Sequence, residues 1–200
     1  MAEIITAKLV KDLRERTNVG IMDCKRALAE ADGNMAEAEN LLRKKGVASA
    51  EKKASRIAQE GVIASYIHLK GKVGVLVEVN CESDFVATNE TFREFVKDIT
   101  LHIAASHPIY LNRGEVPVSR VENERKIYAA QVQGKLAILA EKIVEGKMDK
   151  FYSTVCLLEQ AFVKSPDLTI QELVNTQIAK LGENIVIRRF VRYMVGESLA

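Results

Sequence analysis

The chain has 200 residues, 48% of them hydrophobic, and its 29 Lys and Arg against 27 Asp and Glu leave a formal net charge of +2. That is enough apolar material for one sizeable core with a small satellite domain, and the near-even charge argues against a dedicated nucleic-acid binder, which concentrates positive charge. Cys24, Cys81 and Cys156 stand far apart with no C-x-x-C pair, which fits free thiols in a reducing compartment and excludes a disulfide framework or zinc-finger spacing.

No apolar run approaches the length of a membrane span, and Met1–Ile4 leads directly into folded sequence with no signal segment, so a cytoplasmic location without membrane attachment is expected. Trp is absent and aromatics make up 6%, which argues against stacking platforms for single-stranded nucleic acid. Residues 1–46 predict a three-helix unit. Ile5, Leu9, Val10 and Leu13 recur at helical spacing. Thr17–Gly20 breaks the first helix, and Asp23 lies in the first turn of the second, where a negative charge suits the macrodipole. Cys24, Ala27, Leu28 and Ala31 form its apolar face. Asp32-Gly33-Asn34 supplies a turn tolerant of left-handed backbone, and a third helix carrying Met35, Ala38, Leu41 and Leu42 is expected to stop at Gly46.

Residues 47–60 read as an Ala-, Lys- and Ser-rich linker, and 61–200 as a core domain. There the period changes from 3.6 to 2. Val62–Ile67 predicts a strand, Lys70-Gly71-Lys72 a turn, and Val73, Val75, Val77 and Val79 alternate along a second strand. A helix from Thr91 to Ser106 gathers Phe92, Phe95, Val96, Ile99 and Ile103 on one face. Ser119–Glu122 has the pattern of a capping box opening the next helix. Leu136–Val144 predicts another helix, halted near Gly146, with a short one to Cys156 beyond it. Thr169–Glu172 opens a helix to Leu181, and residues 184–195 form the last strand. The expected fold is α+β: three N-terminal helices, then an antiparallel sheet of about three strands flanked by helices. Such a small sheet leaves a face that wants cover, from helices or from a second subunit.

The densest candidate site is Glu78–Ala87, where an apolar strand runs straight into Asp84-Phe85. The pair reads in two ways. Phe85 is a displayed wedge for a partner's pocket with Asp84 fixing a polar contact, or Phe85 packs at home and Asp84 caps the next helix. Val19, Ile21 and Met22 crowd a helix start in a unit too small to bury everything, either as a docking surface with Lys25 on its rim or as part of the small core. His102, alone on an apolar helix, is a structural residue or a contact. Cys81 with His102 lacks the orienting group and oxyanion donors of a nucleophilic site. Glu78, Glu82 and Asp84 alternate onto one face, a weak pattern for a metal. No catalytic residue, metal ligand or cofactor is expected.

Leu13–Leu28 closely resembles the first signature of the elongation factor Ts family. Glu78–Ala87 resembles the second, with Ser83 where Thr is usual. His102–Pro108 and Ala140–Met148 resemble further family segments, so the likeness spans nearly the whole chain. The resemblance implies a guanine-nucleotide exchange factor for elongation factor Tu, without bond chemistry of its own. It implies a ubiquitin-associated-like domain over 1–46 that docks through Ile21, Met22 and Lys25. Ser83, Asp84, Phe85 and Val86 would form the loop that enters the partner near its magnesium and phosphate site, and His102 would be a core-domain contact. Against longer family members this chain carries a single set of core strands. The resemblance therefore implies a homodimer across the exposed sheet, within a two-plus-two complex with the partner, held by apolar packing through Val186, Phe190 and Met194 or the opposite face. No direct nucleic-acid or membrane contact is implied.

Overall fold

Apolar residues three and four apart at the N-terminus form three helices, α1 (Ala7–Thr17), α2 (Ile21–Glu30) and α3 (Met35–Lys53). The structure is a computed structural model that describes residues 5–17, 19–132 and 136–198. Met1–Ile4, Asn18 in the predicted break and Gln133–Lys135 lie outside the described residues. The chain divides into two units. One comprises residues 1–62, 79–95 and 172–186, the other 63–78, 96–171 and 187–200.

In the first unit, Val10, Leu13, Cys24, Ala27, Leu28, Ala31, Ala38 and Leu42 form the core of the three helices, with Ile5, Leu9, Val19, Met35 and Leu41 packed against it. The turn between α2 and α3 places Asp32 and Gly33 at φ 48° and 87°. Asn34 then caps α3 by accepting from the Glu37 amide at 3.1 Å. α3 does not stop at Gly46. Its buried stripe Ala38, Leu42, Gly46, Ala50 continues at four-residue spacing, and this packing outweighs the ~1 kcal/mol that a helical glycine costs relative to alanine.

Strands β1 (Glu60–His68) and β2 (Val73–Cys81) form the predicted hairpin. Its turn runs through left-handed backbone at Leu69, Lys70 and Gly71. Gly61, at φ 141°, lets β1 approach β2 closely: a Cβ there would sit 2.2 Å from the Val79 carbonyl oxygen. With β5 (Val186–Met194) these strands make a three-stranded antiparallel sheet in the order β1-β2-β5. β2, paired on both sides, buries Val73, Val75, Val77, Val79 and Cys81 in strict alternation. After β2 come a short α4 (Asp84–Thr88) and α5 (Glu90–Ser106), and α5 buries Phe92, Phe95, Val96, Ile99 and Ile103 as the pattern predicts.

The second unit holds α6 (Val118–Ala130), α7 (Ala137–Val155) and a hairpin of β3 (Ala161–Phe162) with β4 (Ser165–Thr169). α6 begins one residue ahead of the expected Ser119 cap. Pro117 occupies the cap position at φ −56° with no side-chain cap, and its carbonyl accepts from the amides of Arg120 and Val121. The two helices predicted around Gly146 are one, because Val144, Met148, Phe151 and Val155 form a continuous buried stripe across it. Strands as short as β3 and β4 carry no readable alternation. α8 (Ile170–Leu181) starts directly after Thr169, as its capping pattern predicts. The α+β organisation is the expected one. Among the described residues no helix is long and apolar enough to cross a membrane.

Candidate functional site

Where β2 ends at Cys81, the backbone leaves the sheet and its N–H groups need new acceptors. Glu183 supplies them. One carboxylate oxygen accepts from the amides of Glu82 and Ser83, both at 3.0 Å, and the other accepts from the Ser83 hydroxyl at 2.6 Å. Ser83 also caps α4, accepting from the Val86 amide at 3.3 Å. The grip is reciprocal. Glu82 accepts from the Asn184 amide at 2.5 Å, Asn184 Nδ2 donates to the Arg56 carbonyl at 2.8 Å, and the Arg56 guanidinium lies 3.5 Å from Glu82. Gly182, at φ 80°, ends α8 and turns the chain so that Glu183 and Asn184 follow at once.

The far side of the turn is closed as well. Thr88 Oγ1 donates to the carbonyls of Asp84 and Phe85 at 3.2 and 3.0 Å, and Asn89 Oδ1 accepts from the Thr91 amide at 2.8 Å to start α5. Val86 and Ala87 point inward and are buried. Asp84 is exposed, and Phe85 is 76% exposed. Asp84 sits at the first helical position, and the cap is Ser83, not Asp84. A phenylalanine held that far into water forgoes about 1.5–3 kcal/mol of burial, while the backbone beneath it is tied at both ends.

Cys81 lies under the same turn and its thiol donates to the Ser83 carbonyl at 3.2 Å. Burial pushes its pKa up to about 11, with the Glu183 carboxylate adding to the rise. The thiol is therefore protonated at neutral pH and serves as a donor rather than a nucleophile. The acidic face read along β2 disperses. Glu78 pairs with Arg189 at 2.6 Å and with Arg188 at 3.5 Å, Glu82 is committed as above, and no group of potential metal ligands occurs among the described residues.

In the three-helix unit, Ile21, Met22 and Lys25 are all exposed at the start of α2, while Cys24 between them is fully buried. Cys24 anchors the helix start by donating to the Val19 carbonyl at 3.6 Å. His102, in the second unit, is 0% exposed. Its Nδ1 accepts from the Val163 amide at 3.3 Å, so Nε2 carries the proton and donates to Gln160 Oε1 at 2.9 Å. Gln160 in turn donates to the Thr154 and Ser106 carbonyls. Burial lowers the His102 pKa, opposed by the Gln160 bond. Of the residues singled out from the sequence, Asp84, Phe85, Ile21, Met22 and Lys25 face solvent. Ser83 and Val86 serve the turn from beneath, and His102 holds the Gln160–Val163 segment from inside. Sequence reasoning missed Glu183, because its hydrogen-bond partner Ser83 lies 100 residues away.

Fold and turn together define an α+β protein with an N-terminal three-helix unit that presents an acid–aromatic pair from the end of its central strand. The family profile described as Elongation factor TS matches residues 46–197. Relatives named Elongation factor Ts include those of Acetivibrio thermocellus (57% identical over 198 residues), Carboxydothermus hydrogenoformans (55% over 199) and Geobacter metallireducens (56% over 198). Each covers 98% of this chain and 92% of the relative. The chain belongs to the elongation factor Ts family and is a translation elongation factor.

Proposed function

We propose that this protein is a guanine-nucleotide exchange factor for elongation factor Tu, acting in the cytoplasm without bond chemistry of its own. The observation that carries the reading is Phe85, 76% exposed on a turn whose backbone is tied by Glu183 and Thr88. An aromatic that gains little from its own fold gains from a partner's pocket. In this reading Ile21, Met22 and Lys25 dock the three-helix unit on the partner. Asp84 and Phe85 then disturb the partner's magnesium and phosphate site, Ser83 and Val86 shape the turn, and His102 supports the core-domain surface from within.

The mechanism is linkage. A factor that binds the nucleotide-free partner best weakens nucleotide binding by the same coupling free energy. A thousandfold loss of affinity needs about 4 kcal/mol, within reach of one buried aromatic and a few polar contacts. GTP and GDP are both released faster, so direction comes from their concentrations.

A homodimer, within a two-plus-two complex with the partner, belongs to the same proposal. Ile63, Ile67 and Leu76 are exposed on the sheet in the second unit, and Ile63, Leu76, Glu78, Arg189 and Phe190 line a groove of about 410 Å³ there. Contiguous apolar surface of this kind marks an interface. Sedimentation is expected to report a dimer, with Leu76→Glu shifting it to monomer. A monomeric wild type overturns that element.

The central test is release of fluorescent GDP from elongation factor Tu. Wild type is expected to accelerate it, and Phe85→Ala to lose about a hundredfold of the acceleration. Release unchanged by wild type overturns the exchange function. An equally active Phe85→Ala overturns the wedge.

A further inference from the structure

We propose that Glu183 is a positioning residue for nucleotide release, holding the Glu82–Phe85 turn in the one shape that presents Phe85; this rests on the exchange reading above. Three donors from the turn converge on its carboxylate, the amides of Glu82 and Ser83 and the Ser83 hydroxyl, at 3.0, 3.0 and 2.6 Å. Both amides lie just past the end of β2 at Cys81, where no strand neighbour is left to accept from them. The return bond from the Asn184 amide to Glu82 makes the grip mutual, so the two segments fix each other. Arg56, 3.5 Å from Glu82, offsets part of the repulsion between the acids.

The carboxylate fits this task better than an amide does. Each oxygen here accepts, one from two amides and the other from a hydroxyl. In Glu183→Gln the charge that strengthens all three bonds is lost, and the NH2 that replaces one oxygen can no longer accept from the Ser83 hydroxyl. The turn then loses one side of its grip, and Phe85 is free to fold back onto apolar surface. Ile21, Met22 and Lys25 lie on α2, outside the turn, so docking through them continues. What falls is the fraction of docked complexes in which the aromatic is correctly presented. The effect therefore belongs to the release step rather than to association.

The experiment measures stopped-flow release of fluorescent GDP from elongation factor Tu against concentration of the full-length factor. Wild type, Phe85→Ala, Glu183→Gln and the double variant are compared. Glu183→Gln is expected to lower the saturating rate constant about tenfold and to change the half-saturating concentration less than twofold. The double variant is expected to be no slower than Phe85→Ala, because Glu183 acts through Phe85. A saturating rate within twofold of wild type overturns the proposal, as does a loss confined to half-saturation or a full additive loss in the double variant. Failure of wild type to accelerate release, or full activity of Phe85→Ala, marks failure of the exchange reading and takes this proposal with it. A normal Glu183→Gln beside an inactive Phe85→Ala overturns the positioning role alone. Amide exchange in free wild type supplies a measurement independent of any variant's folding. The Glu82 and Ser83 amides are expected to exchange about a hundredfold more slowly than unstructured peptide, and unprotected amides there overturn the proposal.

Discussion

The turn at Glu82–Phe85 and the cluster at His102–Val163 are both short segments tied by polar groups, yet they present opposite faces. In the first, an acid on a distant loop grips the backbone and the side chain left over is an exposed phenylalanine. In the second, the imidazole itself is the buried grip. It takes the Val163 amide and gives to Gln160, which passes the chain of bonds to the Ser106 and Thr154 carbonyls. Every polar valence of His102 is returned by the fold. Most of the apolar surface of Phe85 is left uncovered by the fold. An unreturned exposure held on a fixed backbone points outward to a partner, whereas a fully returned polar burial points to architecture.

The strongest way to break that contrast is to cut each kind of aromatic. Phe92, in the helix that follows the turn, is 0% exposed, and Phe92→Ala is expected to cost about 3–5 kcal/mol in chemical denaturation. Phe85→Ala is expected to leave stability within about 0.5 kcal/mol of wild type while abolishing most of the exchange activity. A destabilisation by Phe85→Ala comparable with that of Phe92→Ala would show that the ring packs at home and remove the contrast. Next in size is His102→Leu. It leaves the buried Gln160 Oε1 and the part-buried Val163 amide without their partner, so a loss of about 1–3 kcal/mol is expected. A neutral result would mean that the cluster repacks without its hub.

Acid titration sharpens the same point. Burial favours neutral His102 and so lowers its pKa in the folded state. The unfolded chain takes up the proton first as pH falls. The stability it contributes is fully present above the unfolded value of about 6.5 and is lost as pH drops from there toward the folded pKa. The slope from this group is at most about 1.4 kcal/mol per pH unit. Denaturation at pH 7.5 and 5.5 is expected to show a steeper loss in wild type than in His102→Leu. Equal slopes would place the imidazole in solvent.

Much of the architecture was legible because it follows local period. The three N-terminal helices, the alternation along β2 and the apolar face of α5 repeat patterns that a reader of the chain can count. The candidate turn was legible as a place, through the abrupt step from Val79 to Asp84-Phe85, but not as a geometry. The turn's backbone is held by Glu183 and Asn184, which approach from the other end of the chain. α6 starts ahead of Ser119 because Pro117 fixes the backbone there, which the capping pattern alone does not show. The β3–β4 hairpin, at two and five residues, is too short to show a period. His102 stayed ambiguous because one imidazole on an apolar face looks the same whether its partners are Gln160 and Val163 or another molecule.

The two glycines that looked like helix stops carry the smallest expected effect, and they test where neither kind of polar grip operates. Gly46 is buried and part of the α3 stripe. Gly146 is exposed in the middle of α7, in ordinary helical backbone, and a Cβ there would meet no atom within 4 Å. Its only cost is the freedom that glycine gives the unfolded chain. Gly146→Ala is therefore expected to raise stability by about 0.5–1 kcal/mol, read as a shift in denaturant midpoint with an unchanged slope, and to leave exchange activity alone. Unchanged or lowered stability would mean that α7 needs its glycine for a bend or an approach by another molecule. The region between Val144 and Met148 would then join the Phe85 turn as one whose shape answers to something outside the chain.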